Sequence, residues 1–386
     1  MGGRVRQCTN WLIDYLTYTE KLESPELFHV WTALSILSAG IGRNTSLDCG
    51  WGIIFPNLYT ILVAKSTKCR KSAAADMGYE ILKDADVITI TAERITNASL
   101  WKALGDAATA TGKSEIFVFS DELSLFLSKE ETHKGVMATL TRLYGCPDYV
   151  KNETKKSGVD HVTDAFITTL LATTPTDLTE LIPDVATGKG FTPRLVLVCN
   201  ETPRGKRLFV PMDLELKVRL VEDLKYIKKN IIGSFILSPE ANQWVEKWYE
   251  KLKYPEDEML DGFYGRKHTL LFKVGMLVSI SYKDGLVLEE SDLQKALALI
   301  DQMESFMPTA YNAVGEDPQT RHQDRILRQL ERRKGVATKS QLLHDNWGKL
   351  PAKALEEVMY HLQQSGELDI ILSGRTTTYK SRKEGK

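Results

Sequence analysis

The chain has 386 residues, 42% hydrophobic and 26% charged, with a formal net charge of -1. That length exceeds one typical core and points to two or three domains, while the near-neutral balance excludes a basic surface over the whole chain and confines any nucleic-acid contact to a local patch. Five widely spaced cysteines (Cys8, Cys49, Cys69, Cys146, Cys199) with no CxxC pair argue against a disulfide framework or zinc site and for a reducing cytoplasm, and no apolar run reaches the ~18 residues of a membrane span or the core of a signal peptide.

Residues 9–43 carry apolar spacing for two helices, in Trp11, Leu12, Tyr15 and Leu16 and again in Phe28, Trp31, Leu34 and Leu37, and residues 1–50 are expected to form an N-terminal helical segment. From 58 to 200 short apolar runs (LYTILVA, VITIT, EIFVFSD, AFITTLLATT, RLVLVCN) alternate with helical stretches, which predicts a mostly parallel sheet flanked by helices over 51–212. Residues 213–306 lose the strands and keep helical periodicity, as a helical lid would.

Within the α/β stretch, ILVAKSTKCRKSAAAD sets a strand, a polar turn, Lys71-Ser72 and an alanine-rich helix in the order of a phosphate-binding loop. Lys71 is placed to neutralise phosphate charge and Ser72 to ligate Mg²⁺. Against GxxxxGK[ST] both glycines are missing, and Lys65 and Arg70 stand in their places. Fifty residues on, EIFVFSDE ends a strand in Asp121-Glu122: Asp121 is expected on the metal and Glu122 as the group that orients the attacking water. The strand AFITTLLATT ends in Thr173-Thr174, read equally as a γ-phosphate sensor, with Thr174 catalytic, or as a helix cap. Arg194 opens the strand RLVLVCN, where an arginine can reach into a neighbouring subunit's site.

These segments, with FHVWTALSILSAGIGRN, VFSDELS, LLATTPTDL and GFTPRLVLV, resemble the primase-helicase-like P-loop ATPases of phages and plasmids, of the AAA+ type, over residues 10–305. The resemblance implies an α/β P-loop core, ATP and Mg²⁺ as cofactors, and an Arg such as Arg70 before the P-loop lysine. It also implies nucleotide contacts from Lys68, Arg70 and Arg266, and a pore hairpin in DYVKNETKKSGVDHV whose Lys151, Lys155 and Lys156 hold single-stranded DNA; a merely solvated hairpin is the alternative.

After a turn-rich linker from 307, three helices and a terminal pair of β-prone runs describe a winged helix, completing the 307–386 unit. Residues 319–386 hold fourteen Lys or Arg against eight Asp or Glu, a net +6, so positive charge concentrates here. Lys353, Arg375, Lys380 and Arg382 are candidates for phosphate contacts with duplex DNA, the alternative being a protein-docking module. The combined expectation is a cytoplasmic helicase or translocase ATPase of a mobile element, acting as a homo-oligomeric, six-fold ring with no membrane partner. A nucleotide-dependent loader, or an adaptor with a degenerate P-loop, stands as the competing expectation.

Overall fold

The computed structural model describes residues 5–66, 69–91, 94–127, 135–154, 158–182, 190–255, 260–307, 318–333, 335–346, 350, 352–373 and 376–382. The chain divides into two compact units, Met1–Ala313 and Val314–Lys386.

The first unit opens with α1 (Trp11–Thr19), begun where Asn10 Oδ1 accepts the Ile13 N–H and so satisfies a first-turn donor. Next comes α2 (Glu26–Ile41), which is buried almost end to end. A helix apolar on every side belongs inside a core rather than on its surface, and both serine hydroxyls of α2 find partners there. Ser35 Oγ donates to Thr60 Oγ1 at 2.8 Å, and the Ser38 and Thr168 hydroxyls meet at 2.6 Å.

The path continues through β1 (Thr45–Asp48), β2 (Ile53–Ile54), β3 (Tyr59–Val63), α3 (Lys71–Ala85), β4 (Thr89–Ile90), α4 (Asn97–Thr111), β5 (Glu115–Ser120), the single turn α5 (Leu123–Phe126), and α6 (Val136–Leu143). An antiparallel hairpin follows, β6 (Tyr149–Thr154) with β7 (Gly158–Thr163), then β8 (Phe166–Thr173), α7 (Pro175–Leu181) and β9 (Leu195–Cys199). Strands β3, β5, β8 and β9 are buried along their whole length, as strands covered by helices on both faces must be. They form a parallel sheet with β4, in the order β4-β5-β8-β3-β9.

α2 and α3 approach closely enough that a Cβ on Gly78 would lie 2.4 Å from Thr32 Cγ2, so only glycine fits that crossing. Tyr79 of α3 stacks on Phe119 of β5, with ring centroids 4.3 Å apart. The base of the hairpin is fastened by Arg43, whose guanidinium pairs with Asp148 and Asp164 and donates to the Cys146 carbonyl at 2.9 Å.

The rest of the unit comprises α8 (Leu214–Asn230), β10 (Gly233–Leu237), α9 (Pro239–Glu250), α10 (Asp261–Tyr282), β11 (Val287–Leu288) and α11 (Glu290–Glu304). The strand-free reading of 213–306 is therefore corrected. β10 runs parallel to β1 (Thr45 opposite Gly233) and to β11, and with β2 they make a second sheet, β11-β10-β1-β2. α1 is likewise joined to this later region, Trp11 Nε1 donating to the Leu220 carbonyl at 2.9 Å.

The second unit has a helix Pro318–Arg332, a strand Val336–Thr338, helices Lys339–Asp345 and Ala352–Gln364, and the antiparallel strands Leu368–Ser373 and Thr376–Ser381. The short strand pairs with the last one, giving a three-stranded sheet. Ile326, Leu330, Leu342, Leu355, Val358, Leu368 and Tyr379 close a core of its own.

Candidate nucleotide site

In a parallel sheet the strand carboxyl ends share one edge, where the following loops converge. Here Val63, the last residue of β3, pairs with Thr173, the last of β8, and Ser120, the last of β5, pairs with Leu171. The loop to Lys71, the Asp121-Glu122 pair and Thr173 therefore leave the same edge from three adjacent strands.

Lys71 is the first residue of α3 and is half-buried with Ser72. Neither has an ion pair or side-chain hydrogen bond among the described residues, and the same holds for half-buried Asp121. Among the described residues, one ammonium and one hydroxyl thus stand without a partner at the N-terminus of α3, where phosphate is favoured by free N–H groups and by the helix dipole, and one carboxylate stands likewise at the end of β5. Hydroxyl and carboxylate oxygens are also the donor set a Mg²⁺ ion takes, so the residues present fit both groups.

Glu122 is exposed, and its neighbourhood is set by two serines. Ser120 Oγ donates to the Glu122 carbonyl at 2.8 Å, and Ser124 Oγ donates to Glu122 Oε1 at 2.6 Å. Thr174 caps α7: its hydroxyl accepts from Asp177 N at 3.2 Å and donates to Asp177 Oδ2 at 2.7 Å. Of its two readings, the cap is the one its bonds form, and buried Thr173 is the threonine level with Val63.

Arg70 adopts the left-handed conformation, φ 44° and ψ 46°, which costs an L side chain about 1–2 kcal/mol. This is a conformation glycine takes without cost, at a position where the motif has glycine. Its Nε pairs with Glu23 at 2.9 Å. Lys65, at the other glycine position, pairs with Glu201 at 3.7 Å. Lys68 lies outside the described residues.

Arg194 and Arg266 are elsewhere. Leu195 is opposite Tyr59 at the start of the strands, so Arg194 is removed from the Lys71 edge by a strand length, about 13 Å at ~3.3 Å per residue. The guanidiniums of Arg194 and Arg266 lie 5.9 Å and 6.0 Å from the ring centre of the same residue, Tyr144. Arg266 is therefore corrected as a contact to a nucleotide at this chain's own Lys71: α10 carries it to the opposite edge. Burial, reinforced by the Arg266 cation, lowers the Arg194 pKa. Burial also pushes the Tyr144 hydroxyl up to about 12, with both arginines opposing the shift.

Among the nucleic-acid candidates, Lys151 is exposed on β6, and Lys353, Lys380 and Arg382 are exposed on the second unit. Arg382 is held by Asp369 at 2.7 Å. Lys155, Lys156 and Arg375 lie outside the described residues.

Glu23, Ser24, Glu201 and Arg204, which surround the loop, carry no local signature. The only hint in the sequence is the charged run ETPRGKR after β9.

Among solved structures, the chain is similar to a full-length MCM homolog from Methanopyrus kandleri, with a TM-score of 0.44 and 15% identity over 76% of this chain. It spans 58% of that protein's length. No family model and no curated protein matches the sequence. The fold itself is α/β, with a parallel sheet among many helices, and no described helix is long and apolar enough to cross a membrane.

Proposed function

We propose that the first unit is a Mg²⁺-dependent ATPase and that the chain works on DNA as a helicase or translocase of a mobile-element replication system. The observation carrying this reading is the shared edge of β3, β8 and β5, from which Lys71, Ser72 and Asp121, without partners among the described residues, and Glu122 all leave. Lys71 and the first amides of α3 would bind the phosphates, Ser72 and Asp121 would hold the metal, and Glu122 would orient the attacking water. Bound Mg²⁺ would neutralise charge on the phosphoryl oxygens. Thr173 takes the sensor position at the end of β8.

Arg194 and Arg266, paired on Tyr144 away from Lys71, suit contact with a nucleotide held by a neighbouring copy, and this favours a ring, proposed as six-fold. In such a ring the β6–β7 hairpin, with Lys151, Lys155 and Lys156, faces single-stranded DNA. The second unit, with its helices, three-stranded sheet and excess of basic residues, is read as a winged helix that holds duplex DNA through Lys353, Arg375, Lys380 and Arg382.

The test is ATP hydrolysis by the full-length chain with and without single-stranded DNA. Mg²⁺-dependent turnover should be lost in Lys71→Ala, and unchanged turnover in that variant would overturn the reading.

A further inference from the structure

We propose that Glu23 and Ser24, in the loop between α1 and α2, are positioning residues of the phosphate loop: they hold Arg70 in the left-handed conformation that a glycine would adopt unaided. This rests on the ATPase reading above and assigns a role to residues outside its motifs.

Arg70 stands directly before Lys71 at the head of α3 and so sets how the helix begins. Where glycine occupies the position before the lysine, the turn has no Cβ to accommodate. Arg70 meets the same requirement at φ 44°, and such a conformation in a non-glycine residue persists only where surrounding contacts over-determine it. Two contacts from one loop do this. Glu23 Oε2 takes the Arg70 Nε at 2.9 Å, and the buried Ser24 hydroxyl donates to the Arg70 carbonyl at 3.1 Å. Side chain and backbone of the same residue are thereby fixed from the same direction.

The brace is itself held. Arg204 Nε donates to the Ser24 carbonyl at 2.8 Å, its Nη2 to the Thr19 carbonyl at 3.0 Å, and its backbone N–H to the Glu23 carbonyl at 2.9 Å. The Arg207 backbone N–H donates to the second oxygen of Glu23. Three residues before Arg204, Glu201 pairs with Lys65 and accepts its backbone N–H at 3.4 Å. Thus both positions where the motif has glycine carry a cation, and both cations are met by carboxylates of one connected assembly, residues 19–24 and 201–207. The tether replaces backbone freedom with side-chain restraint.

The consequence is a dependence that exists only while residue 70 has a side chain. Affinity for Mg²⁺ with a non-hydrolysable ATP analogue should be measured on the full-length chain for Glu23→Gln, Ser24→Ala, Arg70→Gly and the double variant Glu23→Gln/Arg70→Gly. Glu23→Gln alone should weaken binding about tenfold, the scale of a lost charge-assisted hydrogen bond. In the Arg70→Gly background the same change should matter less than about twofold, because no left-handed side chain is left to restrain. Equal weakening in both backgrounds, or none in either, would overturn the tether.

Amide hydrogen exchange across Lys71–Ala75, measured without nucleotide, reads the same coupling independently. Glu23→Gln and Ser24→Ala should each accelerate exchange when Arg70 is present, and Glu23→Gln should add nothing to Arg70→Gly. If the wild-type chain binds no nucleotide, the ATPase reading fails, while exchange still decides whether the tether exists.

Discussion

Lys228 of α8 reaches the carboxylate of Glu115, the first residue of β5, at 2.5 Å. The carboxylate is buried and also accepts the Arg43 backbone N–H at 2.8 Å. The pair is roofed by Gly42, whose φ of 60° and ψ of -144° suit glycine alone and where a Cβ would stand 2.5 Å from the Lys228 ammonium. Lys228→Met leaves a buried carboxylate without its main partner and should cost on the order of 3 kcal/mol in urea unfolding. Adding Glu115→Gln should recover most of that loss. Equal stability of the single and double variants would mean the carboxylate is satisfied without Lys228.

Glu122→Gln keeps the shape at the end of β5 but removes the charge that would orient water. Nucleotide affinity should stay within about threefold of wild type while turnover falls at least about a hundredfold, the usual scale for general-base loss. Parallel loss of binding would contradict the division of roles between Asp121 and Glu122.

Arg194→Ala should inactivate hydrolysis without weakening nucleotide binding, since Arg194 is at the sheet edge opposite Lys71. Mixing Arg194→Ala with Lys71→Ala chains should restore part of the activity, because an intact interface forms wherever one variant's Lys71 meets the other's Arg194. Absence of recovery in demonstrably mixed oligomers would argue that the Tyr144 cluster serves its own chain alone.

His29, fully buried in α2, finds no hydrogen-bond partner for either ring nitrogen among the described residues. Burial, aided by the Arg204 cation, lowers its pKa to about 3. Its folded value lies below its unfolded value, so as pH falls below about 6.5 the unfolded chain binds a proton that the folded chain refuses, and stability declines toward pH 3. Relative to His29→Leu, wild type should lose about 2 kcal/mol more between pH 7.5 and pH 5, read from unfolding midpoints. A difference independent of pH would mean that His29 takes up its proton as readily in the folded chain as in the unfolded one.

The second unit has its own core, and a fragment of residues 314–386 should fold alone and bind duplex DNA at low salt. Affinity should fall with a log-log slope of about -0.9 for each phosphate neutralised. Replacing Arg375, Lys380 and Arg382 by Ala should flatten the slope while leaving ATP turnover of the full chain intact. An unaltered slope would favour a protein-docking role.

The central sheet was legible because β3, β5, β8 and β9 are continuous apolar runs bounded by polar turns, and burial on both faces leaves that pattern no alternative. β10 was not: GSFIL has five residues with only one of them buried, and what makes it a strand is β1, nearly two hundred residues earlier. The same limit applies at the site. Asp121 and Glu122 follow the end of β5 directly, and Lys71 and Ser72 open the helix that comes after β3 and its loop, so sequence order fixes their place. Arg266 follows no strand and was assigned by the position of its helix in the chain, whereas packing of α10 decides where it points. The Glu23–Arg70 contact, joining residues 47 apart, leaves no periodic trace at all.

The strand order also bears on how the protein is made. β3 sits between β8 and β9, whose paired residues follow it by more than a hundred positions. A ribosome delivering the chain in order therefore releases Tyr59–Val63, a strand buried along its whole length once folded, long before either hydrogen-bonding neighbour exists. For that interval it is an open edge, prone to pair with another nascent copy. Chains truncated between α4 and β8 should accordingly accumulate as aggregates, and full-length yield should respond strongly to chaperones that shield strands during synthesis.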